Sequence, residues 1–135
     1  MKKALLFSLV SLIVFISFSC NKKEVSAGES VTTKLNNGLS KTWQLTKMYS
    51  NGTEQTLTVG QSRYTKTYKY DNTWFDSDGY VGTYSVPNQT SIQEITTNAS
   101  GGSRTINYTI KSSTMVGLDV EYTLGNTTYR LVYAQ

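Results

Sequence analysis

The chain has no histidine, one cysteine and one proline among its 135 residues. Histidine is the commonest general base and the commonest metal ligand, so its absence excludes a catalytic triad, a zinc site and a His-based proton relay. A single cysteine excludes an intrachain disulfide, so stability must come from a packed core. The scarcity of proline, with many Thr and Tyr residues, argues against disorder, because those residues suit pleated sheets. The length fits one domain rather than two.

Long apolar runs are also missing, apart from one at the start of the chain. Lys2 and Lys3 precede an apolar stretch from Ala4 to Phe18. This order predicts a lipoprotein signal peptide over residues 1–19, and the stretch is shorter than the roughly 20 residues that a spanning helix needs. Cleavage would remove both lysines and leave a mildly basic domain, so no nucleic-acid partner is predicted.

The apolar run ends at Ser19-Cys20, a small residue directly before the lone cysteine. This junction resembles a bacterial lipobox, which implies that Cys20 carries acyl chains such as palmitate and anchors the protein to a membrane. Asn21 stands where an Asp would retain such a lipoprotein at the inner membrane, so the outer membrane is favoured.

Residues 20–39 are expected to form a lipidated tether reaching about 25 Å. A periplasmic or surface-facing orientation, and the oligomeric state, stay open.

Beyond the tether, apolar and polar residues alternate along most of the chain. Ile106, Tyr108 and Ile110, for example, are separated by Asn107 and Thr109. Such alternation predicts strands with one buried face and one wet face. The residues expected on the buried face include Trp43, Leu45, Tyr49, Ile106, Tyr108, Ile110, Leu118, Val120 and Tyr122.

Short turns separate the alternating segments. Asn51-Gly52, Asp71-Asn72 and Gly125-Asn126 are among them, and Asn and Gly tolerate the positive φ of tight hairpins. We therefore predict that residues 40–135 form an all-β, antiparallel up-and-down meander of about eight strands, which closes into a barrel because closure removes the sheet edges. A two-sheet sandwich is the alternative. The segments lie near residues 42–49, 55–59 (the weakest), 64–70, 73–76, 80–86, 90–97, 104–111, 115–124 and 127–134.

Several short motifs follow one another along this region. The first is Leu39-Ser40-Lys41-Thr42-Trp43-Gln44-Leu45, followed by Gly82-Thr83-Tyr84, Tyr108-Thr109-Ile110 and Tyr129-Arg130-Leu131-Val132-Tyr133. Together they resemble the small lipocalin-like domains of bacterial envelope lipoproteins, although Lys41 replaces a usual Gly. The resemblance implies a lipocalin-like barrel and a cation–π pair between Trp43 and Arg130. The alternative is that Arg130 is a free surface charge.

Tyrosine is the most informative residue type, with ten in the chain. We expect Tyr64, Tyr68, Tyr84 and Tyr108 to line a pocket that binds a small hydrophobic or amphipathic molecule. Alternatively, these rings only fill the barrel interior. The chain would then be a non-enzymatic interaction module that docks another envelope protein or a glycan.

Two groups of carboxylates resemble functional sites. Asp76-Ser77-Asp78-Gly79 lacks the calcium-loop ligands, because Trp74 and Ser85 occupy the first and twelfth positions. Asp119 and Glu121 share a strand face about 7 Å apart, a spacing that inverting glycosidases use. Their companions on that face indicate a solvated outer surface instead. No enzyme activity, metal or cofactor is therefore predicted.

Overall fold

A computed structural model describes residues 27–97 and 102–135, with side chains from Val31 onward. The predicted signal peptide, Cys20 and residues 98–101 lie outside the described residues. Among the residues described, no helix is both long and apolar enough to cross a membrane. The elements in chain order are α1 (Ala27–Asn36), β1 (Ser40–Ser50), β2 (Thr53–Gln55), α2 (Val59–Ser62), β3 (Thr65–Lys69), β4 (Thr73–Asp76), β5 (Val81–Asn88), β6 (Ser91–Thr97), β7 (Ser103–Ser113), β8 (Gly117–Leu124) and β9 (Thr127–Ala134).

The sheet is a meander that closes on itself. From β3 to β9, each strand pairs antiparallel with the next, and β1 pairs antiparallel with both β3 and β9. Eight strands, β1 and β3–β9, therefore form a closed barrel, while β2 extends β1 as a short hairpin. The predicted all-β meander and barrel are confirmed, and the sandwich is wrong. The weak segment predicted at 55–59 is instead the end of β2, a loop and the start of α2.

Turn chemistry explains the hairpin at the end of β1. Asn51 and Gly52 have φ values of 47° and 81°, a pair of left-handed conformations that a two-residue hairpin with the native strand twist requires. Asn51 also ties the turn to the barrel, since its side-chain oxygen accepts a hydrogen bond of 2.9 Å from the Thr128 backbone N–H. The predicted turn therefore reverses the chain between β1 and β2 and also joins this hairpin to β9.

Gly82 is required by close packing inside β5. A Cβ atom at this position would lie 2.0 Å from the Ile95 carbonyl oxygen and 2.9 Å from the Trp74 indole nitrogen. That indole N–H donates a hydrogen bond of 3.1 Å to the Thr83 carbonyl. The Trp74 ring therefore crosses β5 at the one residue that leaves room for it.

Inward-facing side chains from all eight barrel strands form one core. The predicted inner residues Ile106, Tyr108, Ile110, Leu118, Val120 and Tyr122 all belong to it. Tyr49 is the exception. The β1–β9 register moves from Leu45 opposite Tyr133 to Lys47 opposite Val132, which inserts one extra residue into β1. Such a bulge reverses the facing of every later residue in the strand, so Tyr49 lies on the outer face opposite Arg130.

Helix α1 closes one end of the barrel. It packs across β1, β3 and β5, and its residues Val31 and Leu35, one helical turn apart, are buried. The Asn36 side chain donates a hydrogen bond of 3.0 Å to the Tyr84 hydroxyl inside the barrel. The folded domain therefore begins with α1, inside the segment of residues 20–39 that was predicted as a tether.

The buried and exposed faces of β8 predict different mutational costs. Leu118 is 2% exposed within the core, so Leu118→Ala is expected to lower the free energy of unfolding by about 2–4 kcal/mol. Glu121→Ala on the outer face is expected to cost less than about 0.5 kcal/mol. Urea denaturation of both variants measures the difference. Equal losses would contradict the assigned strand facing.

Candidate functional site

The barrel contains a cavity at the end away from α1. Its volume is about 670 Å³, which lies within the usual range for small-molecule sites of roughly 300–1,000 Å³. Its mouth is bordered by Gly60 and Gln61 of α2, by the β4–β5 connection and by Gly102 before β7. The other end is closed by α1, so a ligand would enter from one side.

The walls of the cavity are largely aliphatic and aromatic. Inward-facing strand residues supply most of them, as strand alternation predicts, and Tyr64 and Tyr80 lie directly before β3 and β5. They include Leu45, Tyr64, Trp74, Tyr80, Ile106, Tyr108, Tyr122, Leu131 and Tyr133.

The floor of the cavity holds a buried ion pair. The Lys66 ammonium on β3 lies 2.7 Å from a carboxylate oxygen of Glu94 on β6, and their side chains are 6% and 0% exposed. The Lys66 ammonium also lies 4.5 Å from the centre of the Trp74 ring, a favourable position for a cation. Charges removed from water are tolerated only when they are paired and hydrogen-bonded.

Two phenols complete the coordination of the Glu94 carboxylate. The Tyr68 hydroxyl donates to one carboxylate oxygen, and the Tyr108 hydroxyl donates to the other over 3.3 Å. Together with Lys66, these hydroxyls give Glu94 three hydrogen-bond donors, two from β3 and one from β7. Both carboxylate oxygens of Glu94 therefore already accept hydrogen bonds from the protein itself.

The tyrosines at and directly below the floor stay protonated. Burial first, and the Glu94 charge second, raise the pKa of Tyr68, Tyr108 and Tyr133 well above its ordinary value. Tyr133 borders the cavity, and no hydrogen bond joins its hydroxyl to another described residue. The same holds for Tyr122, whose pKa burial also raises, so both phenols are uncommitted donors at neutral pH.

The four predicted ligand tyrosines do not form one pocket. Tyr64 and Tyr108 border the cavity, and the Tyr64 hydroxyl donates a hydrogen bond of 2.9 Å to Asp76. Tyr68 and Tyr84 instead pack edge-to-face at 4.9 Å in the layer below the floor. Two of the four residues therefore border the cavity and two lie outside it, because the pairs differ in position along the barrel axis and not in facing. Ligand binding by these residues stays a prediction.

The predicted pair of Trp43 and Arg130 does not form. Trp43 points inward beneath α1, where its indole N–H donates a hydrogen bond of 3.0 Å to the Leu35 carbonyl. Arg130 points outward and binds Asp119 through two hydrogen bonds of 2.9 Å and 2.6 Å, over the ring of Tyr49 at 5.1 Å. The barrel wall separates the two side chains. The alternative of a free surface charge is also wrong, because Arg130 is in an ion pair.

Lys41 supplies the cation that Trp43 contacts. Its ammonium lies 4.2 Å from the centre of the Trp43 ring, and it donates hydrogen bonds to the carbonyls of Lys34, at 3.2 Å, and of Met115. Loss of water contact lowers the pKa of Lys41. The residue that replaces the usual Gly therefore ties α1 and the β7–β8 turn to the closed end.

The two carboxylate groups noted in the sequence have structural partners. Glu121 pairs with Lys111 at 3.3 Å on the outer face, as predicted for a solvated surface. Asp76 accepts hydrogen bonds of 3.0 Å and 2.9 Å from the Asp78 and Tyr80 backbone N–H groups, which fixes the β4–β5 turn. Within residues 27–97 and 102–135, no three side chains of the metal-binding types lie together.

Lys66 and Glu94 were not predicted as site residues, although the sequence carries a signal for both. Lys66 shares its strand parity with Tyr64 and Tyr68, and Glu94 shares its parity with Ile92. A charge on the buried face of a strand indicates either a partner or a site. Lys66 and Glu94 have opposite charges and lie on different predicted strands, so each could have been predicted as the partner of the other.

No protein-family model matches this chain, and neither a curated protein nor a solved structure matches it.

The buried ion pair predicts a non-additive response to mutation. Lys66→Met leaves a buried carboxylate without its cation, so we expect a loss of about 3–5 kcal/mol in the free energy of unfolding. Adding Glu94→Gln removes the unpaired charge, so the double variant should be more stable than Lys66→Met alone. Chemical denaturation of both variants measures this.

Lys111→Met is the matched control, because it breaks an exposed pair with Glu121. Its expected cost is below about 1 kcal/mol. A double variant less stable than Lys66→Met would contradict the proposed role of the unpaired charge.

Proposed function

We propose that this chain is a lipid-anchored protein of the cell envelope, lipocalin-like in family as well as in fold, whose barrel binds a small hydrophobic or amphipathic molecule. Enzyme activity is not part of the proposal. The observation that carries it is the cavity of about 670 Å³, which reaches from one barrel end to the Lys66–Glu94 pair. A barrel with a filled interior would offer no such volume.

The distribution of polar groups supports an amphipathic ligand. Leu45, Ile106 and Leu131 offer apolar contacts along the walls, whereas the charges of Lys66 and Glu94 lie at the floor. Burial of an alkyl chain against such walls contributes roughly 0.8 kcal/mol per CH₂. A polar head would then meet the floor, where hydrogen-bonding groups fix the orientation of the ligand.

The closed end supports binding rather than passage through the barrel. Trp43 and Leu35 are fully buried there, and Lys41 links the end to α1 through the Lys34 carbonyl. A molecule that enters at the mouth would therefore leave by the same route. Reversible storage or delivery of one molecule fits this geometry.

Cavity occupancy is tested by filling the cavity with a side chain. Ile106→Trp projects an indole from β7 into the cavity and should weaken binding of the neutral dye Nile red by at least about tenfold, or 1.4 kcal/mol. Dye fluorescence titration measures the affinity, and thermal melting checks the fold.

Asn107→Trp is the matched control, because this neighbouring residue lies on the outer face, is exposed and pairs with the polar Gln93. It should bind the dye as the unmodified protein does. Equal affinities for the two variants would exclude the cavity as the binding site.

The anchor is tested through Cys20. Stable membrane attachment needs more than one acyl chain, and a processed lipoprotein cysteine supplies several. Cys20→Ala should release the protein from the membrane fraction and abolish labelling with radioactive palmitate. Retained labelling would rule out Cys20 as the attachment site.

A second candidate is an interaction module, favoured by an apolar patch on the outer face. Phe75 on β4 and Val81 on β5 are cross-strand partners, and their residues are 40% and 55% exposed. Ile95 on β6 lies on the same face and is 37% exposed. A contiguous patch of this kind is typical of contact with another molecule. Dye binding that survives in Ile106→Trp but is lost in Phe75→Ser would favour this candidate.

A further inference from the structure

We infer that the cavity selects ligands with an uncharged, hydrogen-bond-accepting head, such as an alcohol or an ester, over ligands with a carboxylate head. The inference rests on the proposed function and specifies the ligand class of the same site. It follows from the state of the charges and donors at the cavity floor.

The cation on the floor is already neutralised. Lys66 lies 2.7 Å from Glu94, and neither side chain has appreciable contact with bulk solvent. A ligand carboxylate at this depth would lose its hydration beside an ion pair of zero net charge. Without a further cation nearby, that desolvation would not be compensated.

The remaining charges of the cavity do not supply such a cation. Asp76, Asp78 and Glu94 border it, against Lys66 and Arg104. Arg104, the second residue of β7, and Asp78 are both exposed, so solvent screens them from the floor. Among the described lining residues, that leaves two acids, Asp76 and Glu94, against Lys66, which disfavours an anionic ligand. A cationic head would in turn meet the Lys66 ammonium at the floor.

The floor nevertheless offers donors to a neutral acceptor. The Lys66 ammonium has three N–H groups, of which Glu94 and Tyr108 take two. The Tyr133 hydroxyl borders the cavity and makes no hydrogen bond within the described part of the chain. A hydroxyl, carbonyl or ester oxygen can accept from these groups without adding charge. Glu94, by contrast, is occupied by three donors.

The experiment compares ligands of equal chain length. Decanol, methyl decanoate, decanoate and decylamine are titrated against the Nile red complex at neutral pH. Decanol and methyl decanoate should displace the dye at concentrations at least about tenfold lower than decanoate or decylamine. If decanoate binds as tightly as decanol, the inference is wrong while the proposed function stands. If none of the four displaces the dye and none binds by calorimetry, both are wrong.

Two variants test the assigned groups. Glu94→Gln removes the neutralising charge but keeps an oxygen acceptor, so decanoate should gain affinity and the preference should shrink or reverse. Tyr133→Phe removes an uncommitted donor without changing any charge. It should weaken decanol binding several-fold, and it keeps the test decisive if Glu94→Gln does not fold. Unchanged decanol affinity in Tyr133→Phe would overturn the assigned donor.

Discussion

The antiparallel pairing of β1 with β9 is the interaction on which the rest of this structure depends. β1 is eleven residues long; its first part pairs with β3 and its later part pairs with β9. This double pairing turns an open meander, with two exposed edges, into a barrel. Closure also gives the inner faces of eight strands one shared interior, so a core and a cavity arise from the same constraint.

The interior is divided along the barrel axis. At one end, α1 contributes Val31 and Leu35 to a layer that includes Trp43, Tyr68 and Tyr84. At the other end, the corresponding layer lacks a covering helix of that size, and the walls enclose empty volume. The boundary between the two layers is the Lys66–Glu94 pair. The packed end stabilises the barrel, while the cavity at the other end has room for the proposed ligand.

We propose that the buried ion pair serves ligand recognition more than stability. Desolvation of two charges offsets most of their attraction, and apolar residues of similar size often stabilise a core as well or better. Yet Glu94 is fully buried and held by Lys66, Tyr68 and Tyr108. Such a polar cluster fixes the side chains on the floor in one arrangement. A preorganised floor lowers the cost of orienting a bound molecule.

The sequence alone determined the strands, their turns and most of their facing, because alternation and positive-φ residues are local signals. It could not show that an extra residue in β1 turns Tyr49 outward, since a bulge is defined only by its partner strand. Strand parity predicted that Tyr64, Tyr68, Tyr84 and Tyr108 face inward, but it does not give the position of a residue along the barrel axis. The sequence therefore could not show that only Tyr64 and Tyr108 border the cavity. The partners of Trp43, Arg130, Lys66 and Glu94 depend on which strands meet across the barrel. Only the tertiary structure decided them, because those contacts join residues far apart in the chain.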